Sequence, residues 1–268
     1  MVKWIIKRLF SVFGYRLAKM RPKPEERPQH RGAIRDQPVY IEFIGPSGVG
    51  KSTLYNAFKQ HRTDKDTWIG IDEFLGTLPD RKLTKEVPAI YKRIIKRKWE
   101  FVAKRDPSFR DLDFYMNYFF RNLKEDILQF SHNTQSMVVS DEGLFHNFGD
   151  CLMALQAETE AEAQVRAITR NRAIVLCHGA PETIARQIRD RESRTGVINP
   201  RHVGLSDEEL MEMHRSLEDT YAERSSFITS LGIPILELHT ADLPDDNMER
   251  FRTFLRTHFR GMDESGRP

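Results

Sequence analysis

The feature that most constrains the fold of this chain is the segment VYIEFIGPSGVGKST at residues 39–53. Its first six residues are apolar or aromatic apart from one glutamate, which is typical of a buried strand. The residues from Gly45 to Ser52 then match the pattern G-x-x-x-x-G-K-[ST] at every fixed position. The residues from Thr53 to Gln60 suit a helix. This order of strand, glycine-rich turn and helix predicts an α/β fold with a functional loop at the end of a strand.

The same spacing predicts a site for a nucleoside triphosphate. Glycines let the turn fold tightly, so that its N–H groups and the helix N-terminus face an anion. Lys51 would bind the β- and γ-phosphates, Ser52 would bind Mg²⁺, and Thr53 would place a hydroxyl near the α-phosphate. We expect ATP and Mg²⁺ as cofactors. The predicted nucleotide-binding residues are Gly45, Pro46, Ser47, Gly48, Val49, Gly50, Lys51, Ser52 and Thr53.

Short apolar runs elsewhere in the chain predict the rest of a sheet. Besides the run at 39–44, they are found at 67–71, 136–140, 173–177 and 233–238. Long helical patterns separate them, and this alternation predicts a five-stranded parallel sheet covered by helices on both faces, a three-layer fold. The predicted domain spans residues 38–260, with a helical insert at 80–131, and residues 261–268 form a tail.

Acidic residues follow two of the predicted strands, where ligands bind in open parallel sheets. Asp141, after the strand ending SMVVS, would hold Mg²⁺ together with Ser52. Asp72 could accept the proton of an acceptor hydroxyl. The alternative is that an acid at this position only caps a helix. Glu73 and Glu142 lie next to these two residues and are predicted to contact the substrate.

A helical pattern at 182–196 carries several arginines and is followed by a loop with glycine and proline. This pattern favours a lid, at about residues 186–205, that closes over the transferring phosphate. The alternative is a solvated helix with surface ion pairs. On the lid interpretation, Arg189, Arg191 and Arg194 join Lys51 and Asp141 as catalytic candidates.

The helical insert combines a basic run at 91–99 with an aromatic run at 113–123 that contains Arg121. An aromatic wall with one arginine suits a flat or anionic acceptor, and Arg121 is therefore a substrate-binding candidate. Simple core packing is the alternative for the aromatic residues. We interpret the basic run as a solvated helix face and expect no nucleic-acid partner.

The basic charge of the chain is concentrated at its start. Residues 1–35 carry ten Lys or Arg and two acidic residues, a balance of +8, whereas the remainder has a balance of −5. The pattern of residues 1–20 predicts a basic amphipathic helix that lies on an anionic membrane surface. The alternative is that this helix packs on protein. Residues 21–37, rich in proline and charge, predict a linker. With only two cysteines, we expect a cytoplasmic protein at the inner face of a membrane.

Several of these motifs together resemble the thymidylate kinase and deoxynucleoside kinase group of P-loop kinases. The resemblance extends over residues 38–259 and is carried by GPSGVGKST, the acid after the second strand, YFFRN, VVSDE, APETIARQIRDR and the C-terminal strand and helix. It implies Lys51 and Ser52 on ATP–Mg²⁺, Asp72 or Glu73 and Arg121 near the acceptor, and arginines in a lid. Glu142 departs from that group, which usually has arginine at this position.

Two kinds of function fit these observations. The first is a small-molecule kinase whose acceptor is a membrane-proximal sugar or glycan, or alternatively a nucleoside or nucleotide. The second is a membrane-associated ATPase or switch, which the acid pair Asp141–Glu142 would suit. The sequence has no N-K-x-D motif to select guanine and no L-S-G-G-Q signature of transport ATPases.

Overall fold

The computed structural model describes residues 40–63, 66, 68–78, 87–104, 107–132, 136–196, 198–199 and 201–259. The predicted helix at 1–20, the linker at 21–37 and the tail at 261–268 lie outside the described residues. No helix within the described ranges is both long enough and apolar enough to cross a lipid bilayer.

Five strands form one parallel sheet, which confirms the prediction of an α/β fold with five parallel strands. The strands are β1 (Tyr40–Ile44), β2 (Trp68–Gly70), β3 (Met137–Ser140), β4 (Arg172–His178) and β5 (Ile235–His239). The second strand ends one residue earlier than predicted, because Ile71 already belongs to the following helix.

The described helices connect these strands. They are α1 (Lys51–His61), α2 (Ile71–Thr77), α3 (Ala89–Ala103), α4 (Phe109–Ser131), α5 (Leu144–Gln156), α6 (Thr159–Thr169), α7 (Pro181–Thr195), α8 (Asp207–Ser230) and α9 (Pro244–His258). The predicted insert thus contains two helices, α3 and α4, and the predicted lid begins inside helix α7.

The strand order is β2-β3-β1-β4-β5, so β1 lies in the centre of the sheet. Along β1, Glu42 is in register with Ser140 of β3 and with Ile174 of β4. After β1 the chain forms β2 and β3 on one side of this strand, and it then crosses over to form β4 and β5 on the other side. Such a reversal beside a central strand opens a crevice at the carboxyl ends, where ligands bind in sheets of this kind.

Apolar residues cover both faces of the sheet. On one face, Phe43 packs with Phe58 of α1 and Phe251 of α9, and the two phenyl rings of Phe58 and Phe251 stack at 4.8 Å. On the other face, Ile44 packs with residues of α3, α4 and α5, including Phe148. Because β1 is buried along its whole length, its apolar composition, interrupted by Glu42, follows from this two-sided packing.

Helix α8 contributes to both faces. Leu210, near its start, belongs to the cluster around Phe43, whereas Ile228, near its end, belongs to the cluster around Ile44. Ser206 caps the helix by accepting a hydrogen bond from the N–H of Glu209, whose side chain in turn accepts one from Ser206 N–H. This reciprocal cap fixes Ser206 as the last residue of the loop between α7 and α8.

Candidate active site

The glycine-rich turn lies between the end of β1 and the start of α1, as predicted. Gly45, Gly48 and Gly50 all have positive φ, of 145°, 83° and 99°. A Cβ at Gly45 would lie 2.6 Å from the carbonyl oxygen of Cys177, and one at Gly48 would lie 2.5 Å from Cγ1 of Ile188. The turn is therefore enclosed by β4 and α7, and only glycine fits at these two positions.

Lys51 is the first residue of α1, and its side chain folds back over the turn. Its Nζ donates hydrogen bonds to the carbonyl oxygens of Gly45 at 2.9 Å and Pro46 at 3.0 Å. Burial lowers the pKa of Lys51, the nearby charge of Arg191 lowers it further, and the carboxylates after β3 act in the opposite direction. The ammonium group is thus held over the glycine-rich turn by these two carbonyl oxygens.

Ser52 and Asp141 meet beside this lysine. The Ser52 hydroxyl donates a hydrogen bond of 2.6 Å to Oδ2 of Asp141. Two neighbouring strands bring them together, because Ser52 follows the turn after β1 and Asp141 follows the end of β3. A hydroxyl and a carboxylate side by side are oxygen donors of the kind that Mg²⁺ takes.

The remaining residues of the turn shape its walls. Val49 is buried against Gly45, and its N–H donates to the carbonyl of Pro46 at 3.3 Å. Thr240, which follows β5, lies 3.4 Å from the position of a Cβ on Gly50. Ser47 is partly buried in the turn, and Thr53 is exposed on α1.

Asp72 and Glu73 lie in the first turn of α2, directly after β2. The Glu73 carboxylate accepts a hydrogen bond of 2.8 Å from Arg62. The side chain of Asp72 is 79% exposed, with Nζ of Lys59 at 3.7 Å as its ion-pair partner. Asp72 therefore has the more accessible carboxylate of the two.

The hydroxyl of Tyr55 on α1 is buried. Burial raises the pKa of Tyr55, and the charges of Asp72 and Asp141 raise it further. Both carboxylates therefore act on the same tyrosine of α1.

Arg121 and Glu142 lie together across the crevice from α1. Nη2 of Arg121 is 3.7 Å from Oε2 of Glu142, and the guanidinium lies 5.6 Å from the ring centre of Tyr118. Burial raises the pKa of Glu142, and the neighbouring Tyr118 hydroxyl opposes part of this rise. The structure thus brings two of the three predicted substrate contacts, Arg121 and Glu142, to one place, whereas Glu73 is paired with Arg62.

The three arginines predicted for the lid have different surroundings. Arg189 donates to Asp207 at 2.8 Å, to Glu192 at 3.1 Å and to the carbonyl of Leu205, so its guanidinium fastens α7 to the start of α8. Arg191 is half-buried and close enough to Lys51 to lower the pKa of that lysine. Arg194 is exposed near the end of α7. Of the three, Arg191 is the one whose charge acts on Lys51.

Glu42 is a site residue that the sequence analysis did not assign. It is buried in β1 and accepts hydrogen bonds from the N–H groups of Phe145, at 3.0 Å, and of His146, in the first turn of α5. Its burial raises the pKa of Glu42 to about 7. A Cβ at Gly143 would lie 2.7 Å from its carboxyl carbon. Glu42 therefore positions the turn that carries Asp141.

Three cationic or titratable residues near the crevice were also not predicted: Lys98 on α3, His146 on α5 and Arg224 on α8. A signal for Lys98 exists, because it continues the i, i+4 spacing of Ile90 and Ile94 toward Val102 and so lies on an apolar stripe. The predicted solvated face of the run at 91–99 is therefore wrong at Lys98, which is buried.

No protein-family model matches the chain, and no curated protein is significantly similar to it. The functional conclusion therefore depends on the chemistry of the loop and of the residues around it.

Proposed function

We propose that this chain is a P-loop kinase that transfers the γ-phosphoryl group of ATP to a hydroxyl or phosphate of a small acceptor. The observation that carries the proposal is the 2.6 Å contact between Ser52 and Asp141 beside the buried ammonium of Lys51. A glycine turn, a lysine, a hydroxyl and a strand-end acid in contact supply the parts that phosphoryl transfer requires. The fold belongs to the same proposal, as a P-loop NTPase fold.

The residues present fit a bound magnesium–nucleotide complex. Backbone N–H groups of the turn and the N-terminus of α1 would hold the phosphates, and Lys51 would contact the terminal one. Ser52 and Asp141 would hold Mg²⁺, which neutralises developing charge when it is bound. Within the described residues no group of three His, Cys, Asp or Glu could hold a metal ion, so phosphate oxygens and water would complete the coordination.

Acceptor activation is assigned to Asp72. Its exposed carboxylate can accept the proton of an acceptor hydroxyl while that oxygen bonds to the γ-phosphorus and the bond to the ADP oxygen breaks. Arg191 lies on the side of Lys51 and would stabilise charge on the transferring group. We favour a sugar or glycan acceptor near a membrane, because residues 1–20 have a basic amphipathic pattern, with a nucleoside or nucleotide as the alternative.

Glu142 supports a second candidate function, ATP hydrolysis. Its carboxylate is close enough to Lys51 to affect the pKa of that lysine, a position from which it could accept a proton from water. Against this role, the Glu142 carboxylate already interacts with the Tyr118 hydroxyl and with Arg121. These contacts make transfer to an acceptor the better-supported function.

Release of ADP distinguishes the two functions. With ATP and Mg²⁺ present, a panel of sugars, sugar phosphates, nucleosides and nucleotides is expected to contain a compound that raises ADP formation at least tenfold. The reason is that a kinase site reaches its transition state only when an acceptor oxygen occupies it. ADP formation that is equally fast without any acceptor, and that is lost in Lys51→Ala, would replace the kinase proposal by hydrolysis.

The contact between Ser52 and Asp141 gives a second prediction. Asp141→Asn is expected to lower turnover about a hundredfold, because it removes the charged ligand of the metal site. Ser52→Ala is expected to have a smaller effect and to raise the Mg²⁺ concentration needed for half-maximal rate.

Because both residues act on one ion, the double variant should lose less than the product of the two single losses. Initial rates measured across a Mg²⁺ titration test this expectation. Asn56→Ala, an exposed change on the same helix, is the control and should match the parent protein. Independent, multiplicative losses in the double variant would contradict a shared ion.

A further inference from the structure

A largely buried lysine without an anionic partner lies among aromatic side chains of α3, α4 and α5. Lys98 on α3 is only 7% exposed. Its Nζ lies 4.7 Å from the ring centre of Phe119, 5.9 Å from that of Phe148 and 5.8 Å from that of Phe101. Among the described residues no carboxylate or hydrogen-bond acceptor contacts it. Aromatic faces offset only part of the cost of burying a charge, so this ammonium is under-compensated.

Arg224 on α8 is the second cation of this region. It is 6% exposed and donates to Asp150 at 2.6 Å and to the carbonyl of His146 at 3.2 Å. Its Nε is buried and has no acceptor among the residues that the structure describes. A Cβ at Gly149 would lie 2.5 Å from this Nε, so the glycine makes room for the guanidinium.

A buried histidine, His146 of α5, lies beside Arg224, which donates to its carbonyl oxygen. The Nδ1 of His146 is buried and has no partner in the described part of the chain. Burial holds the pKa of His146 well below its usual range, and the charges of Lys51, Arg224, Lys98 and Arg201 lower it further. Because the His146 N–H donates to Glu42 of β1 and its carbonyl accepts from Arg224, the first turn of α5 joins this region to the turn that carries Asp141.

The charges in this region are not balanced. Lys98 and Arg224 supply two positive charges, and Asp150, which accepts a hydrogen bond from Arg224, supplies one negative charge. A cation with a purely structural role usually has its own carboxylate, as Arg172 has Asp126 at 2.7 Å in the core of this protein. The excess of positive charge suits an anionic ligand.

On the basis of the kinase function above, we propose that Lys98 and Arg224 bind an anionic group of the acceptor, a carboxylate or a phosphate monoester. The rings of Phe119 and Phe148 form the apolar side of the subsite and are 5.7 Å apart. Neutral sugars and free nucleosides lack the group that these cations would bind.

Binding to the full-length protein saturated with ADP and Mg²⁺ tests this proposal, because the nucleotide then occupies the phosphate loop. The probes are inorganic phosphate, glucose 6-phosphate, glucuronate and glucose. Calorimetry is expected to show at least tenfold tighter binding of one anionic probe than of glucose. Glucose 6-phosphate and glucuronate distinguish a phosphate from a carboxylate ligand. Equal affinity for the charged and neutral probes would overturn the proposal.

Lys98→Met supplies the matched variant, because methionine keeps the length of the chain and removes the charge. It is expected to weaken binding of the preferred anion at least tenfold, to leave ADP affinity unchanged and to raise the melting temperature, since a buried unpaired charge is removed. Lys96→Met, on the same helix at an exposed position, should change neither binding nor melting temperature. Unchanged anion affinity in Lys98→Met, or a lower melting temperature without loss of binding, would overturn the proposal.

The pH dependence gives a readout that a structural lysine would not change. Burial lowers the pKa of Lys98 to about 8, while the neighbouring Cys151 and Asp150 oppose this and Arg201 and Arg224 add to it. Anion binding should therefore weaken as the pH rises through about 8, and this dependence should be absent in Lys98→Met. A pH profile that Lys98→Met leaves unaltered would count against the proposal.

The same measurements separate this inference from the kinase function. Acceptor-dependent ADP formation with a neutral sugar, at a KM that Lys98→Met leaves unchanged, would overturn the anionic subsite and leave the kinase function intact. Tight, Lys98-dependent anion binding together with acceptor-independent ADP release would overturn the kinase function alone.

Discussion

Replacing Lys51 by alanine is expected to lower the rate of ADP formation at saturating ATP about a thousandfold, the upper range for removal of one positioned transition-state donor. The ammonium is held over the glycine turn by two carbonyl oxygens and is shielded from water. Away from water, the positive charge of Lys51 interacts strongly with the negative charge that develops on the transferring phosphoryl group. Single-turnover rates with labelled ATP measure the loss.

The Lys51→Ala protein should remain folded. The substitution removes an ammonium group that is costly to bury, and alanine is favourable in an α-helix. A melting temperature within a few degrees of the parent value is the control for folding. Lys96→Ala, which removes a charge from the surface of α3, controls for the change in net charge. A Lys51→Ala protein that keeps its full rate would exclude Lys51 from the phosphate site.

Replacing Arg172 by methionine is expected to lower the free energy of unfolding by about 3–5 kcal/mol, the usual cost of breaking one side of a buried ion pair. Arg172 of β4 and Asp126 of α4 are almost completely buried, with Nη2 and Oδ1 2.7 Å apart. Tyr91 donates a hydrogen bond of 2.7 Å to the other carboxylate oxygen. The variant leaves that carboxylate buried without its cation. Urea denaturation at neutral pH measures the change.

Pairing the change with Asp126→Leu is expected to restore much of the lost stability, because the double variant no longer contains a buried unpaired charge. Arg166→Met, at an exposed position on α6, is the control and should change the free energy of unfolding by about 0–1 kcal/mol. If Arg172→Met and Arg166→Met unfolded at the same urea concentration, the buried pair would have no net role in stability.

The sequence was sufficient to predict which segments form the sheet. A strand that is buried on both faces is apolar along its length, and a short segment of sequence is enough to show this. The segments that form β1, β3 and β4 could therefore be predicted. The order β2-β3-β1-β4-β5 could not be predicted, because it depends on which helices pack on which face. The helical insert was predicted as one region, and its two helices are separated around residue 107, where a proline precedes the Ser108 cap.

The proximity of the residues predicted to bind the nucleotide and Mg²⁺ could be inferred in the same way. Lys51 and Ser52 follow one strand, Asp141 follows another, and the ends of adjacent parallel strands meet at one edge. Lys98, His146 and Arg224 come from three helices far apart in the chain. Their proximity follows from tertiary packing, which no local pattern encodes. The three lid arginines looked alike in sequence, and only their surroundings distinguish Arg191 from the fastened Arg189.

Helix α8 has a mechanical consequence. It is continuous for 24 residues, about 36 Å at the α-helical rise, with its start fastened to α7 through Arg189 and Asp207. Ile188 of α7 lies against the glycine turn, and Arg224 of α8 donates to Asp150 of α5. One stiff pair of helices therefore joins the glycine turn to α5, so that a displacement of α8 would change both contacts together.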